Sequence, residues 1–404
     1  MEENIISIGK GEVMKKKVLF LTTQFNHGGV ERSLIEVCKA LDPSKYDITL
    51  FLRNNKTDLI YMLPEYVNVI VNEDGHYYRK VKAIYYKIMK GISKIINKPL
   101  WVKKYEDALK QYVYTQKIEN PKKKYFADVH FDVVVSYTVH LCTEMALLID
   151  ADKHYVVFHS EEADFHKDIT DRTFPIYDRI IAVGPGVELL LREAFPQFND
   201  KIIQLCNYID ASKIYELAAE EKKDIEATKN SGKIMFTTSA RMVSEKAFDL
   251  AVEAARILRD KDIEFEWYFL GDGYERENVE KLIKEYVLEE YIHVMGFQMN
   301  PYPYMKNCDI YVHPAHLEAQ PLAIMEAIVL GKAIVSTDSL GGKAVLEYGK
   351  KGLVVSQDGE AIAEGILRFI AEPDLKKSFE GKYTLDQNRL DKKVYSDSWD
   401  MLLN

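Results

Sequence analysis

Short apolar runs alternate with helix-length segments along this chain, and the alternation begins twice. Runs at 17–21, 48–52, 133–136, 155–158 and 180–183 form the first series, and runs at 235–239, 266–270, 292–295, 310–312 and 333–336 form the second. Runs this short and this uniformly apolar suit strands buried on both faces. Between them lie helical patterns, such as Leu34, Ile35, Val37, Cys38 and Leu41 after the first run, and the stretches 248–258, 275–285 and 323–329 in the second series. Strands that alternate with helices predict a parallel, doubly wound sheet. The chain has 404 residues, enough for two domains with separate cores. Residues 216–233 are strongly charged and nearly free of large apolar side chains after Leu217. The expected organisation is therefore one Rossmann-like domain over 1–212, a charged linker over 213–232, a second over 233–380, and a helical tail over 381–404 returning toward the first domain. A single large sheet is the alternative, and a charged linker argues against it.

Four widely spaced cysteines give neither a metal pair nor a disulfide framework, which fits a reducing cytoplasm. No apolar run reaches the roughly 20 residues needed to span a bilayer, so a cytoplasmic, non-spanning protein is expected. The formal charge of −9 argues against nucleic acid as a partner. Within the chain, however, residues 79–124 hold 14 basic and 3 acidic side chains. Val81, Ile84, Tyr85, Ile88, Ile92, Ile95 and Ile96 recur there at spacings of three and four, predicting an amphipathic helix over 79–101. Two readings follow. Its lysines sit among anionic headgroups, placing the protein at the inner face of the membrane, or its apolar face packs on the sheet like that of any surface helix. Residues 1–13 are assigned no role.

The loops after the strands carry the chemistry. Gly28 and Gly29 follow the first strand, where missing Cβ atoms let backbone amides approach an anion at a helix N-terminus; a tight turn is the other reading. Gly271, Asp272 and Gly273 follow a later strand in the same manner. Arg241 and Lys246 lie between a strand end and a helix, a pairing that suits a diphosphate, because Arg forks onto phosphate oxygens and Lys adds a mobile charge. Glu318 lies in a loop after another strand. Glu326 sits between Met325 and Ala327 in an apolar helix, where a carboxylate needs hydrogen-bond donors such as those of a polyol. His313, His316 and Glu318 superficially suit a metal, but a structural or hydrogen-bonding role is favoured and no metal is expected.

In the order and spacing of these features the chain resembles the retaining nucleotide-sugar glycosyltransferases of family 4, which share the GT-B fold of two Rossmann-like domains facing across a cleft. The features are Gly28, Gly29 and Glu31 after the first strand, Phe158 and His159 after a later one, and Asn207 to Asp210 near the domain junction. The second half adds Arg241 with Lys246, Gly271 to Gly273, Gly296 with Phe297, and Glu318 eight residues before Glu326. The resemblance implies Arg241 and Lys246 on the donor diphosphate, Glu326 on the ribose, Glu318 beside the transferred sugar and His159 near it. Gly28 and Gly29 would approach the phosphates from the opposite domain. Asn207, Gly271, Asp272, Gly273, Phe297, Pro321 and Leu322 complete the implied donor site. The chain departs from the family's usual pattern at Ala319 and Gln320 after the first glutamate, at Ala247 after the lysine, and at Gly184, where Ser is frequent.

The expected activity is metal-independent transfer of a glycosyl group from a nucleotide diphosphate sugar, a UDP-sugar being favoured, to a saccharide or lipid-linked hydroxyl in bacterial surface-polysaccharide or glycolipid assembly. No cofactor is expected. A sugar-nucleotide epimerase or phosphorylase on the same architecture, and a non-catalytic nucleotide-sugar-binding subunit, are the rival readings.

Overall fold

A computed structural model of the chain describes residues 14–26, 28–72, 111, 114–139, 141–159, 167–381, 385 and 387–404. The amphipathic segment 79–101 and most of the basic block 79–124 lie outside them.

Two wholly parallel sheets form. The first contains β1 (Lys16–Thr22), β2 (Tyr46–Leu52), β3 (Asn68–Val71), β4 (Phe131–Ser136), β5 (Ala151–Phe158), β6 (Arg179–Ala182) and β7 (Ile202–Gln204), in the order β3-β2-β1-β4-β5-β6-β7. The second contains β8 (Ile234–Ser239), β9 (Phe265–Leu270), β10 (Ile292–Gly296), β11 (Ile310–His313), β12 (Ile334–Thr337) and β13 (Leu353–Val355), in the order β10-β9-β8-β11-β12-β13. In β1, Val18 to Leu21 are completely buried, as strands covered on both faces require. The ten strands expected from apolar runs are present within a few residues. The additional β3, β7 and β13 are three or four residues long and lie at sheet edges.

Strand order reverses between β1 and β4 in the first sheet and between β8 and β11 in the second. At such a switch point the connecting loops diverge to opposite faces and leave a crevice beyond the strands' carboxyl ends. The loop carrying Gly28 and Gly29 follows β1, the loop of Arg241 follows β8, and the loop of Glu318 follows β11.

The stretch 213–232 differs from the linker expected. Much of it is helical, in Ala211–Leu217 and Lys223–Ser231. Ile214 and Ile225 turn into the core beneath the second sheet, and Thr228 is bonded to the Tyr268 hydroxyl at 2.6 Å. Tyr304 donates to Asp224 at 2.7 Å. Charge had masked an inward face only two or three residues wide.

At the other end of the chain, the helix Lys392–Leu403 is capped by Asp391, whose carboxylate accepts from the amides of Lys393 and Val394. Tyr395, Trp399 and Leu403, four residues apart, lie on one face and enter the first domain's core. Trp399 meets Phe20 edge-on at 6.0 Å, Tyr395 stacks on Tyr208, and Tyr155 donates to the Leu402 carbonyl. The chain's last helix is thus part of the domain its beginning builds. Replacing Trp399 with Ala removes the largest of these side chains and should cost about 3–5 kcal/mol. Thermal unfolding followed by near-ultraviolet circular dichroism would show it as a clear fall in Tm.

Candidate functional site

Between the carboxyl ends of the two sheets lies a cleft of about 810 Å³, lined from both sides. The first domain contributes Gly28, Gly29, Glu31, Arg32, His159 and Asn207; the second contributes Arg241, Lys246, Gly271, Asp272, Phe297, Glu318, Pro321, Leu322 and Glu326. Of the residues expected in the donor site, all but Gly273 line this cleft.

Gly273 serves the site from beneath. A Cβ there would fall 2.1 Å from the Met242 carbonyl oxygen, and one on Gly271 would fall 1.8 Å from that of Ala240. These two close approaches let the β9 loop lie against the β8 loop, with Met242 N–H donating to the Asp272 carbonyl at 3.0 Å. The position of Arg241 depends on that packing.

On the second domain's side, Lys246 forms an ion pair with Glu318, and His313 Nε2 lies 3.3 Å from the same carboxylate oxygen. Burial alone would raise the Glu318 carboxyl; the Lys246 charge and the His313 ring reverse the effect and hold it at about 2. Burial also lowers the His313 imidazole, against the opposing pull of Glu318. His316 turns elsewhere, with Nδ1 3.1 Å from the Gln357 amide oxygen. Among the described residues no group of three His, Cys, Asp or Glu side chains is placed to hold a metal ion.

Glu326, read from sequence as a carboxylate waiting for a polyol, already has partners. Tyr302 donates to it at 2.9 Å, and Arg32 of the first domain lies 3.7 Å away. Both were missed in the sequence, since no local pattern marks a contact between segments far apart in the chain. On the first domain's side, the carboxylate of Glu31 folds back over Gly28. Burial raises its pKa, while backbone hydrogen bonds and the positive charge of Arg241 across the cleft pull it down. A Cβ on Gly29 would lie at van der Waals distance from Leu322.

His159 follows β5 and stands 5.0 Å from the Tyr137 ring. Burial pushes its imidazole down to about 3, so near neutral pH the ring is uncharged. Asn207 is held by Ser33, whose hydroxyl also meets Tyr137.

Several helices start at the cleft: Gly29–Ala40, Phe248–Asp260 and Leu322–Val329. Their unpaired amides and dipoles, together with Arg241 and Lys246, make the cleft's floor favourable to an anion.

Residues 219–383 match the family described as Glycosyl transferases group 1. An uncharacterized glycosyltransferase of Haemophilus influenzae is 24% identical over 370 residues, covering 90% of this chain and 92% of that protein. The putative colanic acid biosynthesis glycosyltransferase WcaL of Salmonella typhimurium is 31% identical over 139 residues, 32% of this chain and 34% of that one. Among solved structures, Anabaena Alr3699/HepE in complex with UDP superimposes with a TM-score of 0.66 at 16% identity, over 96% of this chain and 99% of that one. The chain has the GT-B fold. Together with the family match, that fold supports a glycosyltransferase.

The Lys246–Glu318 pair gives the GT-B cleft a pH signature. Glu318 has a folded pKa of about 2, against an ordinary value of 4.5. Below 4.5 the unfolded chain binds a proton that the folded one refuses, so the stabilisation is complete above that pH and is lost as pH falls toward 2. Replacing Glu318 with Gln should cost roughly 3 kcal/mol at neutral pH. The Tm difference between the two proteins should narrow steadily from pH 4.5 downward.

Proposed function

We propose that this chain is a retaining glycosyltransferase, moving a sugar from a nucleotide diphosphate sugar, UDP-sugars being favoured, to an acceptor hydroxyl in surface-polysaccharide or glycolipid assembly. One observation carries the reading: Arg241 and Lys246 stand at the second sheet's switch point, among helix N-termini, in a cleft whose far wall is another domain. Departure of the nucleotide diphosphate is the difficult step, and the negative charge that grows on it would be met by Arg241, Lys246 and the backbone amides of the Gly28–Gly29 loop. The donor's ribose hydroxyls would donate to the Glu326 carboxylate, displacing Arg32. Asn207, Gly271, Asp272, Phe297, Pro321 and Leu322 would frame the nucleotide.

Lys246 has a second part to play. In the donor-free protein it neutralises Glu318; a diphosphate would share its charge, leaving Glu318 held by His313 beside the transferred sugar. Among the described residues no side chain in the cleft is singled out as a covalent nucleophile, which favours a front-face route. In it the departing phosphate oxygen accepts the acceptor's proton while the acceptor oxygen bonds to the anomeric carbon on the same face, with retention. His159, neutral, would hydrogen-bond to the sugar. The reading needs no divalent ion, since cationic side chains fill that role. UDP bound to HepE, and the polysaccharide role in WcaL's name, support the donor and the pathway class.

Replacing Arg241 or Lys246 with Ala should reduce kcat at least about 100-fold, measured as acceptor-dependent UDP release from a panel of UDP-sugars, and activity should survive EDTA. UDP release without acceptor, an isomerised sugar nucleotide, or full activity in both variants would contradict the reading.

Peripheral membrane attachment through residues 79–104 belongs to the same proposal, since it would bring a lipid-linked acceptor to the first domain. Flotation should show binding to anionic liposomes at low salt, lost when Lys87, Lys90, Lys94 and Lys98 become Glu; free protein in both cases contradicts attachment.

A further inference from the structure

Glu326 is the only polar side chain in the helix Leu322–Val329, so whatever holds its carboxylate comes from elsewhere in the chain. After β10, the run Asn300-Pro-Tyr-Pro-Tyr304 turns into a short helix, Tyr302–Asn307. Asn300 fixes the turn. Its Oδ1 accepts from the Tyr302 backbone N–H at 3.3 Å, while its Nδ2 donates to the Leu217 carbonyl at 2.8 Å and to Glu220 at 2.7 Å. Pro301 then opens the helix with a preset φ, and the Tyr304 hydroxyl is tied to Asp224. Tyr302 is thus fastened on both flanks to the stretch 217–224. From there its hydroxyl reaches Glu326 Oε1 at 2.9 Å, 24 residues further along the chain.

A carboxylate can only accept, so the phenol is the donor in this bond. Burial, and after it the Glu326 charge, push the Tyr302 hydroxyl well above its ordinary range, so the proton stays on the phenol. Arg32 is a partner of another kind. It belongs to the first domain, is partly exposed, and its guanidinium stands 3.7 Å from the same oxygen, Oε1, beyond hydrogen-bond range. Among the described residues both contacts fall on Oε1. Oε2 is therefore the oxygen left for a ligand in the cleft that Glu326 lines.

We propose that Tyr302 is the positioning residue of the ribose seat: by anchoring Oε1 it presents Oε2 to the ribose hydroxyls and keeps the carboxylate from closing onto Arg32. The inference rests on the placement of the ribose at Glu326 proposed above. What it adds is the group that holds Glu326 once the donor has drawn Arg32 away, leaving the phenol on one oxygen and the ribose hydroxyls on the other, as a buried carboxylate requires. Without the phenol, Glu326 keeps Arg32 as its partner, and a direct ion pair between them is a contact that the ribose has to break. Tyr302 favours nucleotide binding without touching the nucleotide.

Isothermal titration of UDP and 2′,3′-dideoxy-UDP on the wild type and on Tyr302→Phe reads this as a cycle, because the dideoxy nucleotide keeps base and diphosphate and lacks only the hydroxyls in question. Phenylalanine keeps the ring and removes only the donor. The wild type should bind UDP about tenfold or more tightly than the dideoxy nucleotide. In Tyr302→Phe, UDP should weaken about tenfold while dideoxy-UDP stays within about twofold of its wild-type affinity, which also reports an intact cleft. A residue that merely supports the fold would weaken both nucleotides alike. Equal weakening of both, unchanged binding of both, or tighter UDP binding in the variant would each overturn the assignment, the last by making the phenol a competitor of the ribose. A wild type that binds the two nucleotides equally takes the ribose away from Glu326, and one that binds neither removes the donor reading itself; the proposal falls with either, and the wild-type titrations alone tell those failures from its own.

Discussion

Every strand in both sheets runs parallel to its neighbours, and the rest of the molecule follows from that constraint. Parallel strands cannot be joined by hairpins, so helices cross the sheet faces and every strand's carboxyl end opens into a loop on the same edge. Each sheet therefore has one loop-bearing edge, with a crevice where the strand order reverses. Setting two such edges face to face gathers the loops after β1, β8, β9, β11 and several helix N-termini around a single cleft. The last helix, packed by Tyr395, Trp399 and Leu403 into the first domain, ties the chain's end back to its beginning.

Inside the cleft, charge is placed where it can be exchanged. Glu318 is largely buried yet ionised because Lys246 and His313 surround it; Glu326 is buried beside Tyr302 and the other domain's Arg32. A buried carboxylate with no partner would be severely destabilising. In each case at least one partner is a cation that an anionic or hydroxyl-rich ligand can compete for. Arg241 differs, being exposed in the cleft mouth while its field reaches Glu31 in the other domain.

Much of this was legible in the sequence, and the gaps have physical causes. Buried central strands are apolar throughout and announce themselves; β3, β7 and β13 are short edge strands with half-exposed residues and carry no such run. The helix Lys223–Ser231 was hidden because only Ile225 and Thr228 turn inward from a charged surface. Arg241, Lys246, Glu318 and Glu326 stood out as charges in loops or apolar surroundings. Arg32 and Tyr302 did not, since their significance lies in contacts between segments far apart in the chain. Gly273 was expected in the donor site, but its constraint is the Met242 carbonyl beneath it and not the cleft above.

The central claim is that a nucleotide diphosphate sugar binds between the two sheet edges. A crystal structure of the protein grown with UDP tests it most directly. The account predicts density in this cleft, with the diphosphate beside Arg241 and Lys246, the ribose hydroxyls on Glu326, and Arg32 drawn away from that carboxylate. UDP bound elsewhere on the molecule, or in the cleft with its diphosphate away from both cations, would contradict it.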